Sequence, residues 1–597
     1  MKNFKKIYVA DFETTVDPDN CYVWSATLLD IEKIESEEVE IFGSIEEFMQ
    51  RLQQIKENSV IYFHNLKFDG TFILDYLLRN KKWVSRTTEK QSRVKTSQLL
   101  SHQFQYTISD KGQWYKIELC CRTRVYIEIR DSLKLLPFSL EKLCKDFKVK
   151  HQKTKMQYDN KYSLSDCTEK DIEYIKNDVL GLAECLQHFK SRYELNQLTI
   201  GATCLQDFKE NNFPDELFLF GGKKDLFVPL EKQKLKNSYL FKCDNQEEFI
   251  RKTYRGGFCY VAPQYAEKEI KEGCVLDVNS LYPYVMYSRE YPTRHGFEVL
   301  GNFSNYVGKQ GSYYFCTIEV NNVKLKKNML PTIQIKNDLR FKANEWIKEI
   351  KFDYPIQLWL TKTDYERFIK HYNIGYMKHI GAIVFHTEKG IFNKYIDKHM
   401  EVKKNSVGAD RTIAKLFLNN LYGKMATSRK TNYKMMYIDE QDKLKYKTVI
   451  SEELKKSVNI AIGSAITAYA RDVTFTAAQE NYKYFCYADT DSIHCCCPVD
   501  KIKGVKIDDK ELGFWANEAN FTEAIYLRQK TYAEKINNEW CVTGCGMNKD
   551  CKNEIVKLLN AEGIGAFKRG VEIAEGKTNI KLVKGGTVIQ KTTFTIK

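Results

Sequence analysis

Tyr487-Ala488-Asp489-Thr490-Asp491-Ser492-Ile493 is the stretch on which the reading of this chain turns. Two carboxylates stand one residue apart, with Tyr484-Phe485-Cys486-Tyr487 before them and Ile493-His494-Cys495-Cys496-Cys497 after. Both flanks are apolar enough for buried strands, so Asp-Thr-Asp reads as the tight turn of a β-hairpin. Two acids at the tip of a buried hairpin need countercharge, because an unpaired buried carboxylate is costly. A divalent metal supplies it, and Mg²⁺ favours one or two carboxylates together with substrate phosphates. Taken alone, the stretch also fits a helix cap, a solvated turn, or the metal and nucleotide-sugar site of a glycosyltransferase.

The rest of the chain narrows these readings. At 597 residues it exceeds one core, which predicts roughly two to four domains. With 43% hydrophobic and 29% charged residues it reads as a soluble globular protein. No apolar run is long enough to span a bilayer, and Met1-Lys2-Asn3-Phe4-Lys5-Lys6 lacks a signal peptide's apolar segment, so a cytoplasmic location is expected. The net charge of 93 − 78 = +15 favours a polyanionic partner, although a basic composition without one looks the same. The 37 Tyr and 34 Phe suit stacking on bases and serve equally as core. Eighteen cysteines without a secretion signal predict reduced thiols. Neither Cys120-Cys121, Cys495-Cys496-Cys497 nor Cys541, Cys545 and Cys551 has zinc-ligand spacing, so buried free thiols are expected.

Near the start, a strand over Lys6–Ala10 runs into Asp11-Phe12-Glu13-Thr14-Thr15, and alternation puts Asp11 and Glu13 on one face. A second strand, Val60–Phe63, leads through His64-Asn65-Leu66-Lys67-Phe68-Asp69-Gly70 into a helix near Thr71, where Asp69 also suits a cap. Asp171 to Asp178 opens an amphipathic helix with Ile175, Val179, Leu182 and Leu186 as its apolar stripe, while Tyr174 and Asp178 share a face. Four acids and one phenol suit two-metal hydrolysis of a phosphodiester, with Tyr174 orienting the water. A solvated sheet surface explains Asp11 and Glu13 unless the other acids converge on them.

The pattern loosens between about 196 and 252, which places a domain boundary near Leu198. In Thr253-Tyr254-Arg255-Gly256-Gly257 the glycines allow close approach, and Tyr254 and Arg255 can touch a nucleic-acid strand; a bare turn is the alternative. A strand through Val275 and Leu276 delivers Asp277 to its end before Asn279-Ser280-Leu281-Tyr282-Pro283 turns into a helix. Backbone N–H groups at such a turn can bind phosphate oxygens. Asp277 and Asp489 are expected to hold two Mg²⁺ about 4 Å apart. On a helix over Arg411–Gly423, Lys415, Asn419 and Tyr422 form one stripe, opposite Ile413, Leu416, Phe417 and Leu421. Cation, amide and ring can hold the triphosphate, sugar and base of a nucleotide; a solvated face also accounts for Lys415 and Asn419. Lys530 and Tyr532 fall on one strand face, suited to a primer phosphate.

In order, Asp11-x-Glu13, Asn65-x-x-x-Asp69, Tyr174-x-x-x-Asp178, Asp277-x-x-Ser-Leu-Tyr-Pro283, Lys415-x-x-x-Asn419-x-x-Tyr422-Gly423, Tyr487-x-Asp-Thr-Asp-Ser492 and Lys530-x-Tyr532 resemble the motifs of family B DNA polymerases. The resemblance covers nearly the whole chain and is closest to the small protein-primed branch. Tyr62–Gly70, Leu330–Lys336, Tyr526–Tyr532 and Thr593–Lys597 support it. It implies an α/β plus α+β multidomain fold: an RNase H-like 3′–5′ exonuclease domain over 1–198, then a palm, fingers and thumb polymerase domain over 199–597. Within the latter it implies a terminal-protein-binding insertion (289–390), fingers (391–426), a processivity and strand-displacement insertion (427–455), palm (456–544) and thumb (545–597). Over 427–455 and in the thumb, its last residues apart, the match diverges.

The same resemblance assigns residues. Asp277, Val278 and Asp489 would hold the metals of synthesis, with Asp491 also catalytic, and Asp11, Glu13, Asp69 and Asp178 those of proofreading, as Mg²⁺ or Mn²⁺. Lys153 would contact the scissile phosphate, and Thr14, His64, Asn65, Phe68, Ser132, Leu133 and Tyr158 the frayed 3′ strand. Tyr282 would exclude a ribose 2′-OH, Lys403 and Lys415 bind the triphosphate, and Tyr422 and Gly423 meet the nascent pair. Tyr254, Gly256, Gly257, Thr467 and Arg471 would hold the template, and Lys530 and Tyr532 the primer. The implied partners are primer-template and single-stranded DNA, dNTPs and a terminal protein serving as primer, for a monomer working in an infected bacterium. A DNA-primed repair polymerase, a nuclease with a DNA-binding second half, and a silent replication scaffold are the rivals.

Overall fold

Alternating apolar residues in the first 131 positions build one mixed sheet. Its strands are β1 (Lys6–Thr14), β2 (Val23–Asp30), β3 (Glu40–Phe42), β4 (Ser59–Phe63), β5 (Val84–Ser85), β6 (Gln103–Ile108), β7 (Trp114–Arg122) and β8 (Val125–Asp131). The order is β3-β2-β1-β4-β8-β7-β6-β5, with β1 and β4 parallel. Parallel neighbours need a crossover, and the helix Ile45–Gln54, capped by Ser44, lies in it. Tyr8, Ala10 and Phe12 share a core with Phe72 and Ile73 of the helix Asp69–Arg79. Val9, of opposite parity, packs with Val179 and Leu182 of the helix Glu169–Lys190. Asp11 and Glu13 have the parity of Val9, so they face that second helix. The computed structural model describes all residues except 1–3, 5, 155, 157–160, 215–222, 337, 343–344 and 457, so Tyr158 lies outside the described residues.

The second half begins with the helix Ile200–Asn211. Its central sheet takes β9 (Cys259–Val261) and β10 (Gly273–Val278). A separate sheet with its own core around Tyr314, Ile318 and Phe368 then intervenes. It comprises β11 (Glu290–Leu300), β12 (Ser312–Leu325), β13 (Glu349–Ile350), β14 (Ile356–Thr361) and β15 (Tyr372–Lys389), with the helix Lys362–His371. Two helices, Asn393–Asn405 and Gly408–Met425, precede a hairpin of β16 (Tyr433–Ile438) and β17 (Leu444–Val449). After the buried helix Ile460–Glu480 come β18 (Phe485–Asp489), β19 (Ser492–Cys495), β20 (Trp515–Arg528), β21 (Thr531–Ile536) and β22 (Glu539–Gly544). They complete an antiparallel sheet in the order β22-β21-β20-β10-β19-β18-β9. The helix Lys549–Glu562 and the hairpin β23 (Glu572–Val583) to β24 (Gly586–Thr595) follow.

Both hairpins return to the first sheet. Met436, Leu444, Val583 and Val588 join its apolar core. Asp442, between β16 and β17, pairs with Arg79 and, at 2.6 Å, with Lys584. Gly585 permits this contact: its φ is +88°, and a Cβ there would lie 2.1 Å from the Cys21 carbonyl oxygen. Among the described residues no helix is long and apolar enough to cross a membrane.

Candidate active sites

The first site is a meeting of acids. A capping box between Thr168 and Asp171 starts the helix Glu169–Lys190, which presents Asp178 to β1. Oxygens of Asp11, Glu13 and Asp178 lie within 4.8 Å of one another. Burial, then the charge of Asp178, pushes Asp11 up to about 7. Burial and Asp11 likewise raise Glu13. Asp69, the fourth expected acid, opens its own helix beside these three, buried and raised by burial and the charge of Asp11, and in turn it raises Glu13. Lys153 pairs with Asp178 and lies 5.4 Å above the Tyr174 ring. One Asp178 oxygen, Oδ1, is buried without a hydrogen-bond partner. Crowded, mutually repelling carboxylates with an unsatisfied oxygen fit divalent cations.

Around these acids two loops are pinned by a residue the sequence reading missed. Oδ1 of Asp131 accepts the N–H groups of Asn65, Leu66 and Leu133 at 3.1, 3.3 and 3.1 Å. Its signal was an acid at a strand end just before Ser132, a common turn-capping place. Asn65 holds a φ of +73°, which Asn tolerates. His64 lies between the Ser132 hydroxyl (3.0 Å) and the Phe138 carbonyl (2.8 Å), and burial lowers its pKa to about 4. Thr14 and Ser132, expected on the strand-binding surface, are buried; Ser132 donates to the Phe63 carbonyl. Ser132 shapes the loops from beneath, while Thr14 ends β1 opposite Val23. Phe68 is half-buried against Phe72, while Leu133 lines an open cleft of about 590 Å³ together with Gly423.

The second site lies at the hairpin that opened the sequence reading. Asp489 pairs with Ser492, so Thr490 and Asp491 form a two-residue turn, with Thr490 at φ +68°. Gly257 allows the turn to pack: a Cβ there would stand 2.6 Å from the Thr490 hydroxyl. Gly257 thus lets the hairpin pack closely, while Gly256 has open space around it. β10 sets Asp277 opposite Ser492. Asp277 and Asp491 line the same cleft, and the Asp491 carbonyl accepts the Val278 N–H at 2.9 Å; burial, then the charges of Asp491 and Glu518, push Asp277 up to about 8, with Lys415 opposing. Asp489, expected to share metals with Asp277, does not line that cleft. Asp489 is held by the Lys530 ammonium at 2.6 Å and by the Tyr487 hydroxyl at 3.3 Å.

Asp277, Val278 and Asp491 form one wall of a cleft of about 840 Å³, and Lys403, Arg411, Lys415 and Asn419 form another. Lys403 donates to the Ser280 hydroxyl at 3.0 Å; burial and the neighbouring cations lower its pKa. Tyr282 and Tyr422 stack across the cleft at 3.7 Å, with planes 5° apart. Acids facing a cation wall, with a stacked ring pair between, make a receptacle for a metal-bound polyphosphate carrying a flat base. Glu518, Lys404 and Arg411 belong to this cleft and escaped the sequence reading, since no local spacing ties them to Asp277. Thr467 and Arg471 are 2% and 4% exposed, another correction. Arg471 bonds both Asp364 oxygens (3.0 and 2.7 Å) and the Arg255 and Gly256 carbonyls, so it braces the loop that carries Tyr254. Tyr254 is half-buried, and Tyr532 packs 5.1 Å from the Tyr487 ring.

Known proteins show the same assembly. The profile of the family "DNA polymerase type B, organellar and viral" matches residues 51–165 and 156–501. The DNA polymerase of Bacillus phage Nf is 34% identical over 99% of this chain and 100% of its own length. Phi29 DNA polymerase, solved with primer-template DNA and incoming nucleotides, superposes with a TM-score of 0.84 at 33% identity, covering 99% of this chain and 100% of that one. The same enzyme with single-stranded DNA gives 0.82 at 32%, with the same coverage. Paired acids beneath a cation wall, a separate acid cluster on an eight-stranded sheet, and likeness along the whole length place this chain among the type B DNA polymerases.

Proposed function

We propose that this DNA polymerase copies DNA in the 840 Å³ cleft and trims 3′ ends at the Asp11, Glu13 and Asp178 cluster, starting from a protein primer and displacing strands as it advances. The observation that carries the reading of the cleft is that Asp277 and Asp491 line it together with Lys415. Asp277, Asp491 and the Val278 carbonyl would hold divalent ions, Mg²⁺ in the cell. Bound there and at the acid cluster, such ions would supply nucleophile activation and charge neutralisation on the leaving oxygen.

The chain's own residues do the rest. Lys403, Arg411 and Lys415 take the triphosphate and stabilise the charge that develops as the primer 3′-OH attacks the α-phosphate. Tyr422 stacks on the base, and Tyr282 closes the space beside the sugar C2′. Lys530 seats the primer end. At the trimming site Lys153 would neutralise the scissile phosphate and Tyr174 would orient the attacking water, while Asn65, Phe68 and Leu133 receive the frayed strand. Residues 1–198 form the trimming domain and 199–597 the synthetic one, with the β11–β15 sheet as the seat of the priming protein. The β16–β17 hairpin is the strand-displacing element. The solved relatives with primer-template, nucleotides and single-stranded DNA support these substrates, and the phage relatives support work in a bacterial host.

Incubation with dNTPs and primer-template tests synthesis, and degradation of single-stranded DNA tests trimming. Labelled dATP with the genome's own terminal protein should give a nucleotide–protein adduct. Primer extension without any adduct would leave a DNA-primed enzyme.

A further inference from the structure

Beneath the synthetic hairpin lies a buried polar relay that the reaction scheme does not use. His494 on β19 and Glu534 on β21 are 3% and 4% exposed. Nδ1 of His494 lies 2.6 Å from Oε1 of Glu534, and the same oxygen accepts the Tyr526 hydroxyl at 2.6 Å. Replacing such a buried pair with apolar side chains is often neutral or stabilising, so stability alone does not explain it.

Its neighbours do. Bulges between Phe521 and Glu523 and between Tyr526 and Arg528 interrupt the β20–β21 ladder, and the turn that follows meets the hairpin. There the Tyr487 ring is held on three sides: stacked on Tyr526 at 5.3 Å, edge-on to His494 at 5.1 Å, and against Tyr532 at 5.1 Å. The Tyr487 hydroxyl accepts the Lys530 backbone N–H at 2.9 Å and donates to Asp489 at 3.3 Å. Lys530 has a φ of +57°, a conformation a lysine keeps only where its surroundings impose it. From there its ammonium reaches Asp489. On the other side, Nε2 of His494 is 3.4 Å from the hydroxyl of Ser492, which follows Asp491 and lies opposite Asp277.

We propose that Glu534 is a positioning residue for synthesis: by orienting His494 and Tyr526 it holds the Tyr487 hydroxyl where that group fixes the Lys530 turn beside Asp489, and so sets the seat of the primer end. The inference rests on reading the cleft as the site of synthesis. Glu534 acts through the three rings and touches no reacting group.

Glu534→Leu and Tyr487→Phe, singly and together, test it. Each single change should raise KM for primer-template about tenfold, with KM for dNTP and degradation of single-stranded DNA within about twofold. The double variant should be no worse than the worse single, because both cut one relay. Glu534→Gln, whose amide oxygen can still accept both hydrogen bonds but carries no charge, should recover part of the loss. If Glu534→Leu does not fold, Tyr487→Phe carries the test, since it removes one hydroxyl and keeps the ring. Unchanged KM in the folded variants, or effects that multiply in the double, would overturn the proposal. So would parallel loss of synthesis and degradation with a lowered Tm, the mark of a purely structural role. A wild-type chain that extends no primer would instead sink the reading of the cleft.

Discussion

The two acid sites are built on different principles. At the trimming site three carboxylates converge, and Lys153 pairs with one of them. In the synthetic cleft Asp277 and Asp491 stand together with Glu518, Asp489 is held aside by Lys530, and a wall of cations stands opposite. A trimming site handles one phosphodiester and water, so a single lysine beside three acids suffices. A site for a triphosphate must also offset the several negative charges the nucleotide brings. If the two sites act as proposed, the position of the cations, more than the number of acids, separates synthesis from hydrolysis here.

Separate removal of the acids should break the molecule into its two halves. Asp277→Asn or Asp491→Asn should lower primer extension by on the order of 10³-fold or more, leaving single-strand degradation within about twofold. Asp178→Asn should do the reverse. Loss of both activities from either change would show one shared site. Asp489→Asn sharpens the comparison: it should cost only about tenfold, since Asp489 pairs with Lys530 and does not line the cleft with Asp277. A loss as deep as that of Asp491→Asn, measured by single-turnover extension, would restore Asp489 as a full partner of Asp277.

A smaller effect concerns the brace behind the cleft. Asp364→Asn leaves the buried Arg471 without its bidentate partner and should cost about 3 kcal/mol of stability, read by denaturant unfolding. Activity retained at full stability would deny Arg471 that role. The smallest signal is electrostatic. Asp277 and Asp11 are raised to about 8 and 7, so the folded protein binds protons that the unfolded chain releases near pH 4. Metal-free stability from these groups is therefore lost as pH rises from about 4 towards 8. Ca²⁺ should raise Tm more at pH 8 than at pH 5, and in the metal-free state Asp277→Asn should exceed wild type in Tm only at the higher pH. A Ca²⁺ shift independent of pH would remove the basis for that repulsion.

The sequence by itself determined what depends on neighbours a few residues apart. Strand parity put Asp11 and Glu13 on one face, helical spacing lined up Lys415, Asn419 and Tyr422, and the apolar flanks made a hairpin turn at Thr490-Asp491. These follow from periods of 2 and 3.6 residues, which the chain carries locally. Tertiary structure alone decided which acid of the hairpin lines the cleft with Asp277, because that depends on β10 lying beside β19. It also buried Thr467 and Arg471, set Gly257 against Thr490, made Asp131 the pin of two loops, and rested both hairpins on the first sheet. Such contacts join residues tens to hundreds of positions apart, and no local period records which distant surface a side chain will meet.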